Sequence, residues 1–127
     1  MNKILIIDDD SGVHSIINAI VQRKMPDCSF SSAYNGMDGI RAALDEHPDA
    51  ILLDVDMPGI DGFETCRRLK EDERTRHIPV VMFSGMATDA DSVDAALKSG
   101  ADMIIAKPLR SEHLIQVFRS LLDPKAK

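Results

Sequence analysis

Four short apolar runs in this chain each end directly before an acidic, hydroxyl or basic residue. They are residues 4–7 before Asp8, 50–53 before Asp54, 79–83 before Ser84 and 103–106 before Lys107. Continuous runs rich in Ile and Val are typical of strands that are buried on both faces of a parallel sheet. Such sheets bind ligands at the carboxyl ends of their strands. We therefore expect these four side chains to converge on one rim of a parallel sheet.

Helical patterns lie between the runs. The apolar positions at helical spacing are Val13, Ile16, Ile17, Ile20 and Val21; Met37, Ile40, Ala43 and Leu44; Phe63, Cys66 and Leu69; Val93, Ala96 and Leu97; and Leu114, Val117, Phe118, Leu121 and Leu122. Residues 28–34 predict a fifth, weaker strand, since they carry three serines. Strands that alternate with helices pair in parallel, and right-handed crossovers place helices on both faces. The predicted fold class is α/β, a doubly wound five-stranded parallel sheet.

Polar residues and glycines mark several helix ends. Asp10 is expected to cap the first helix, and residues 88–91 have the spacing of a capping box that opens the fourth. The fourth helix should turn Val93, Ala96 and Leu97 inward and stop at Gly100. Ser111 is expected to cap the fifth helix.

Length and composition predict one soluble domain over residues 1–122, followed by a tail or linker stub at 123–127. A net charge of −6 and 4% aromatic residues argue against nucleic-acid binding. No apolar stretch approaches the roughly 20 residues of a membrane span, and nothing resembles a signal peptide. Cys28 and Cys66 lack metal spacing and are expected to be buried free thiols. We therefore expect a cytoplasmic protein without membrane contacts.

Acidic residues gather at two of the predicted strand ends. Asp8 and Asp9 follow the first strand, and Asp54 follows the third. Carboxylates that lie a few ångströms apart repel one another, so a cation or a proton must neutralise them. Hard oxygen ligands with open positions favour Mg2+, or Mn2+ in its place. The sequence therefore predicts a divalent-cation site at Asp8, Asp9 and Asp54.

Asp54 is the candidate nucleophile for phosphoryl transfer. A carboxylate that attacks phosphorus forms an aspartyl phosphate, and catalysis then requires positioning and cancellation of charge. The cation would take one phosphoryl oxygen, Lys107 a second and the Ser84 hydroxyl a third. Because Pro108 follows Lys107, a cis peptide bond there would turn the ammonium inward.

Five segments resemble the receiver domain of bacterial two-component response regulators over residues 3–122. They are residues 6–10 (IIDDD), 52–62 (LLDVDMPGIDG), 84–85 (SG), 100–102 (GAD) and 107–108 (KP). The resemblance implies a flavodoxin-like (βα)5 fold and phosphorylation of Asp54 by a sensor histidine kinase or a phosphotransfer protein.

The resemblance also implies roles for the other rim residues. Asp9, Asp54 and the Asp56 backbone carbonyl would bind Mg2+ directly, and Asp8 mostly through water. Ser84 would be the switch hydroxyl and Lys107 the counter-charge of the phosphoryl group. The output would be a shift of the fourth helix, fifth strand and fifth helix toward a downstream protein or a fused output domain.

Two positions depart from the family pattern. Position 104, the switch position beside Ser84, usually carries Tyr or Phe, whose ring swings inward on activation. With Ile104 there, another element must report the Ser84 movement, and the aliphatic side chain could still fill the space that Ser84 vacates. Asp56 adds an acid two residues after the nucleophile, and we expect it to change the lifetime of the aspartyl phosphate. Lys98, Asp102, Arg110 and Arg119 carry mixed charges that suit either phosphorylation-dependent homodimerisation or an ordinary solvated surface.

Three alternatives share parts of this pattern. Asp54 and Asp56 also resemble the nucleophile and general acid of haloacid-dehalogenase-type phosphatases. That family usually carries the motif on its first strand, and it would leave Asp8 and Asp9 without a role. A receiver-like module that is never phosphorylated would be expected to lack Asp9, Asp54 or Lys107. A flavodoxin-like redox protein would need a phosphate-binding first loop and an aromatic pair, and the sequence has neither.

Overall fold

The computed structural model describes residues 2–85, 90–106 and 110–122. Five strands and five helices alternate within these segments. They are β1 Lys3–Ile7, α1 Ser11–Lys24, β2 Ser29–Ala33, α2 Gly36–Glu46, β3 Ala50–Asp54, α3 Gly62–Glu71, β4 Val80–Ser84, α4 Ala90–Lys98, β5 Met103–Ala106 and α5 Ser111–Leu122. None of the helices in these segments is long and apolar enough to cross a membrane.

The five strands form one parallel sheet in the order β2-β1-β3-β4-β5. The chain moves outward from β1 to β2, then returns past β1 to β3 and continues to β5. The strand order thus reverses between β1 and β3, and in open α/β sheets this switch point is where ligands bind. The predicted fold class is confirmed.

Two hydrophobic clusters cover the two faces of the sheet. The first contains Leu5, Ile7, Leu53 and Met82 and packs against α2, α3 and α4. The second contains Ile4, Ile6, Leu52 and Phe83 and packs against α1 and α5. Successive strand residues point to opposite faces, so an uninterrupted apolar run feeds both clusters. This burial on both sides explains why the strands lack an apolar–polar alternation.

Asp10 begins α1 and Gly100 follows α4 as expected, and Asp61 is an N-cap that the sequence analysis did not predict. Asp10 caps α1 by accepting a hydrogen bond from Gly12 N–H at 2.8 Å, and Asp61 caps α3 by accepting one from Glu64 N–H at 2.9 Å. After α4, Gly100 adopts a φ of 95°, in the left-handed region that favours glycine. The proposed capping box lies partly outside the described residues, at positions 88 and 89.

Other expectations are wrong or only partly right. Leu97, predicted to face inward, is 58% exposed, and Ile16 of the α1 pattern is 61% exposed. Cys66 is buried, whereas Cys28 is only partly so. The first α5 hydrogen bond runs from Leu114 N–H to the Arg110 oxygen at 2.9 Å. The capping position is therefore that of Arg110, one residue before the predicted Ser111.

A lysine ties α3 to the amino ends of two strands. The Lys70 ammonium, on a side chain 17% exposed, donates to the Ile78 oxygen at 2.7 Å and to Asp102 Oδ2 at 3.0 Å. The same Asp102 oxygen accepts from Val80 N–H at 2.8 Å. The charge pattern of α3 indicates only a solvated face, so the sequence misses this brace. Asp102 is thus engaged within the chain.

The predicted domain boundary at residue 122 coincides with the last residue of α5. Residues 123–127, the predicted tail or linker stub, lie outside the described segments, and the domain division stays a prediction.

Candidate functional site

Asp8 and Asp54 lie side by side at the switch point of the sheet. Ile7 pairs with Leu53 in the β1–β3 register, so the residues that follow them leave two neighbouring strands at the same level. Asp8 is fully buried and Asp54 is 2% exposed, while Asp9 faces solvent. The sequence thus places two carboxylates in the sheet rim and a third above them.

The three carboxylates form one acidic cluster. One oxygen each from Asp8, Asp9 and Asp54 can be chosen so that all three lie within 4.8 Å of one another. Negative charges at this separation repel, and the repulsion grows where neighbours are shielded from water. The site therefore favours a group that brings positive charge.

Hydrogen bonds fix the main chain of Asp8 on both sides. Its N–H donates to the Ala33 oxygen at 3.1 Å, which ties β1 to the end of β2. Its carbonyl oxygen accepts from His14 Nε2 of α1 at 2.8 Å. Its side-chain Oδ1 accepts from Asp10 N–H at 2.8 Å. The position of this carboxylate is thus set by β2, by α1 and by the turn after β1.

The segment after Asp54 is anchored to its own strand and to β4. Val55 N–H donates to the Phe83 oxygen at 3.2 Å, and Gly62 N–H donates to the Val55 oxygen at 2.9 Å. Asp56 N–H donates to Asp54 Oδ1 at 3.3 Å. A Cβ on Gly62 would lie 2.3 Å from the main-chain oxygen of Asp54, so glycine permits this close approach. The β3–α3 connection therefore closes tightly around the candidate nucleophile.

Ser84 and Ile104 occupy the neighbouring strands. Asp54 pairs with Phe83, so Ser84 is the next residue along β4, and it is fully buried. Ile104 pairs with Met82 and packs, partly buried, against the first cluster. Ala106 pairs with Ser84, so β5 ends at the same rim. Lys107 and Pro108 follow Ala106 but lie outside the described residues, and the predictions for their side chain and peptide bond stay untested.

The donors fit a hard divalent cation. Three carboxylates supply oxygen ligands only, and the exposed Asp9 leaves the cluster open to water. Mg2+ prefers oxygen ligands and retains several waters, and Mn2+ accepts the same set. The predicted ligands Asp8, Asp9 and Asp54 are thus brought together. The Asp56 carbonyl follows two residues after Asp54, and its role as a ligand stays a prediction.

His14 lies near the acidic cluster, and the sequence analysis did not identify it. His14 is 4% exposed and lies on the buried stripe of α1 with Ile17 and Val21. Its spacing of three and seven residues from these apolar positions is the signal by which it could be found. Burial also raises the pKa of the Cys66 thiol and keeps it protonated near neutral pH, as expected of a buried free thiol.

Comparisons with known proteins agree with this geometry. The family model of the response regulator receiver domain matches residues 4–119. The chain is 36% identical over 122 residues to the DNA-binding dual master transcriptional regulator RpaA of Synechocystis sp., covering 96% of this chain and 49% of RpaA. It is 32% identical to Protein PilH of Pseudomonas aeruginosa, covering 96% of this chain and 98% of PilH.

A solved structure matches the fold closely. The signal receiver domain of the DNA-binding response regulator merR from Colwellia psychrerythraea superposes with a TM-score of 0.89 and is 31% identical. The match covers 97% of this chain and 99% of that domain. The chain spans about half the length of several curated relatives, RpaA among them.

Proposed function

Because the chain belongs to the response regulator receiver domain family, we propose that Asp54 accepts a phosphoryl group from a sensor histidine kinase or a phosphotransfer protein. The observation that most supports this proposal is that Asp54 is 2% exposed at the end of a central strand and forms an acidic cluster with Asp8 and Asp9.

The transfer breaks one bond and forms one. A carboxylate oxygen of Asp54 attacks phosphorus as the bond to the donor imidazole nitrogen breaks, and that nitrogen keeps the electron pair and takes a proton. In-line positioning and charge cancellation supply most of the catalysis. The hydrogen bond from Asp56 N–H to Oδ1 orients the nucleophile. Hydrolysis by water later returns the carboxylate and releases inorganic phosphate.

Asp8, Asp9, Asp54 and the Asp56 carbonyl would hold Mg2+ or Mn2+. The bound ion supplies positive charge that offsets the carboxylates and the incoming phosphoryl oxygens. The buried Asp8, held by three hydrogen bonds, orients this arrangement. We assign Lys107 as a further counter-charge and the buried Ser84 hydroxyl as a donor to the phosphoryl group.

The conformational output passes through the α4-β5-α5 face. A movement of Ser84 toward the phosphoryl group would open space beside β5, and the partly buried Ile104 on that strand would fill it. Leu97 on α4 and Met103 on β5 are exposed apolar side chains of this face. A phosphorylation-dependent shift would change what these side chains offer to a partner.

Two kinds of downstream partner fit the comparisons. RpaA is a DNA-binding transcriptional regulator about twice as long as this chain, whereas PilH is of nearly the same length. We propose either a fused output domain or a separate downstream protein, and no direct DNA contact by this acidic domain. Dimerisation through α4 and α5 remains a prediction, since Lys98 pairs with Asp94 and Arg119 donates to the Lys24 oxygen within the chain.

The domain would catalyse only its own phosphorylation and dephosphorylation, without turnover of an external phosphate ester. We place it in the cytoplasm, where kinases that use ATP generate the phosphoryl donor.

Intact mass after incubation with acetyl phosphate and Mg2+ tests the assignment of Asp54. We expect one added phosphoryl group in the parent protein and none in Asp54→Asn or after addition of EDTA. Asp45→Asn is the matched control, because it removes an exposed carboxylate of α2. An adduct that persists in Asp54→Asn would contradict the assignment. Hydrolysis of the donor without an adduct would instead favour the phosphatase alternative that uses Asp56 as general acid.

Asp56 is expected to affect the lifetime of the phosphoryl group. Its side chain is exposed two residues after Asp54, where it can meet the cation or an attacking water. Dephosphorylation of Asp56→Asn, followed by intact mass after removal of the donor, should differ in rate from the parent. Equal rates would remove this role.

A further inference from the structure

We propose that His14 is a positioning residue for the cation site. Its Nε2–H holds the main-chain oxygen of Asp8 and thereby fixes the peptide plane that carries Asp9. This inference rests on the proposed function, because it concerns the carboxylate geometry that the cation requires. His14 itself is not a ligand, since its polar contact is with a backbone carbonyl.

The hydrogen bond determines which ring nitrogen carries the hydrogen. A carbonyl oxygen only accepts, so His14 Nε2, at 2.8 Å from the Asp8 oxygen, is the donor. The ring is 4% exposed, and its Nδ1 has no hydrogen-bond partner within the part of the chain that the structure describes. A buried nitrogen without a partner costs stability. An apolar residue on this stripe of α1 would avoid that cost, so the Nε2 hydrogen bond is what histidine adds here.

The Asp8 carbonyl that His14 holds belongs to the peptide bond that leads into Asp9. The Asp8–Asp9 peptide is planar, so fixing the Asp8 oxygen also fixes the direction in which the chain reaches the Asp9 Cα. On its other side, Asp8 N–H is tied to the Ala33 oxygen at 3.1 Å. Asp9 is exposed, and packing alone does not position its carboxylate. The bond from His14 therefore limits the freedom of the most solvent-facing member of the cluster.

An aromatic contact supports the orientation of the imidazole. The Tyr34 ring lies with its centroid 4.5 Å from that of His14, at an interplanar angle of 42°. Tyr34 directly follows β2, whose last residue, Ala33, accepts the Asp8 N–H. The end of β2 thus supports both the imidazole and the main chain that the imidazole holds.

Mn2+ affinity measured by electron paramagnetic resonance of the free ion provides the test. His14→Leu removes the donor and keeps an apolar side chain on the stripe, and we expect about tenfold weaker binding, as is typical for residues that orient metal ligands. His14→Gln places an amide N–H near the former Nε2 and should recover most of the affinity. Ile17→Val is the matched control, because it trims a fully buried residue of the same helix that belongs to the second hydrophobic cluster.

A second readout needs no metal. Long-range proton–nitrogen NMR spectra of the metal-free parent should show the His14 ring as the Nε2–H tautomer. An Nδ1–H tautomer would overturn the proposal without any variant.

The possible outcomes distinguish a failure of the His14 proposal from a failure of the proposed cation site. Parent-like Mn2+ affinity in His14→Leu, or affinity in His14→Gln as weak as in His14→Leu, would overturn the positioning role while the cation site stands. A parent protein that binds no Mn2+ would overturn the cation site and this proposal together.

Discussion

Replacing Asp9 with asparagine should make the metal-free protein more stable. Two unit charges 4.8 Å apart repel by about 0.9 kcal/mol in a water-like dielectric and about 3.5 kcal/mol at an effective dielectric constant of about 20. Asp9 faces solvent, so the lower value applies, and it has two charged neighbours in Asp8 and Asp54. We therefore expect Asp9→Asn to raise the free energy of unfolding in EDTA by about 2 kcal/mol.

Mg2+ should reverse this order. A ligand that binds only the folded state stabilises it by about 1.4 kcal/mol for each tenfold rise in concentration above the dissociation constant. The parent should follow this slope, whereas Asp9→Asn has lost a ligand and should respond only at higher Mg2+. The two plots of stability against the logarithm of Mg2+ concentration are expected to cross.

Urea unfolding followed by circular dichroism measures both effects. The Mg2+ series is balanced with NaCl at constant ionic strength, and Asp45→Asn controls for a change in net charge. Parallel plots would refute the assignment of Asp9 as a ligand, and an Asp9→Asn protein no more stable than the parent in EDTA would refute the charge repulsion.

Three further predictions concern Lys70, Gly62 and Cys66. Lys70→Met should lower the free energy of unfolding by about 1.5–3 kcal/mol, because it removes charged hydrogen bonds that are partly shielded from water. The exposed Lys98→Met should cost less than about 0.5 kcal/mol, and equal urea midpoints for the two variants would contradict the brace. Gly62→Ala should cost about 1–3 kcal/mol, since its Cβ would meet the Asp54 oxygen, and it should also slow formation of the acetyl phosphate adduct; parent-like stability would refute the close approach. The raised pKa of Cys66 leaves little thiolate at pH 8, so in a Cys28→Ser protein a chromogenic disulfide should react far more slowly in native buffer than in urea, and similar rates would show an accessible Cys66 thiol.

Much of the fold was predictable from local pattern. Each apolar run is long enough for one strand, and each helical stripe fits the length between two strands. Alternation then leaves parallel pairing with right-handed crossovers as the favoured arrangement. The placement of Asp8 and Asp54 at one rim followed because parallel strands all end at the same edge.

The errors arose where side chains meet neighbours from distant parts of the chain. Periodicity does not distinguish Ile17, which is fully buried, from Ile16, which is 61% exposed on the same helix. Leu97 similarly lies at the edge of the apolar stripe of α4, and it stays 58% exposed. Which edge of a stripe is buried depends on how the helix rotates against the sheet, and that rotation is set by packing.

The sequence by itself determined the elements, the parallel sheet and the acidic residues at its rim, because these depend on residues close together in the chain. Only the tertiary structure decided the order β2-β1-β3-β4-β5, the burial of Asp8 and Asp54 beside an exposed Asp9, and the bond from His14 to the Asp8 oxygen. Lys70, which reads as a surface charge, became a brace for the same reason. Contacts between distant segments depend on register and helix rotation, and both are set by the packing of the whole core.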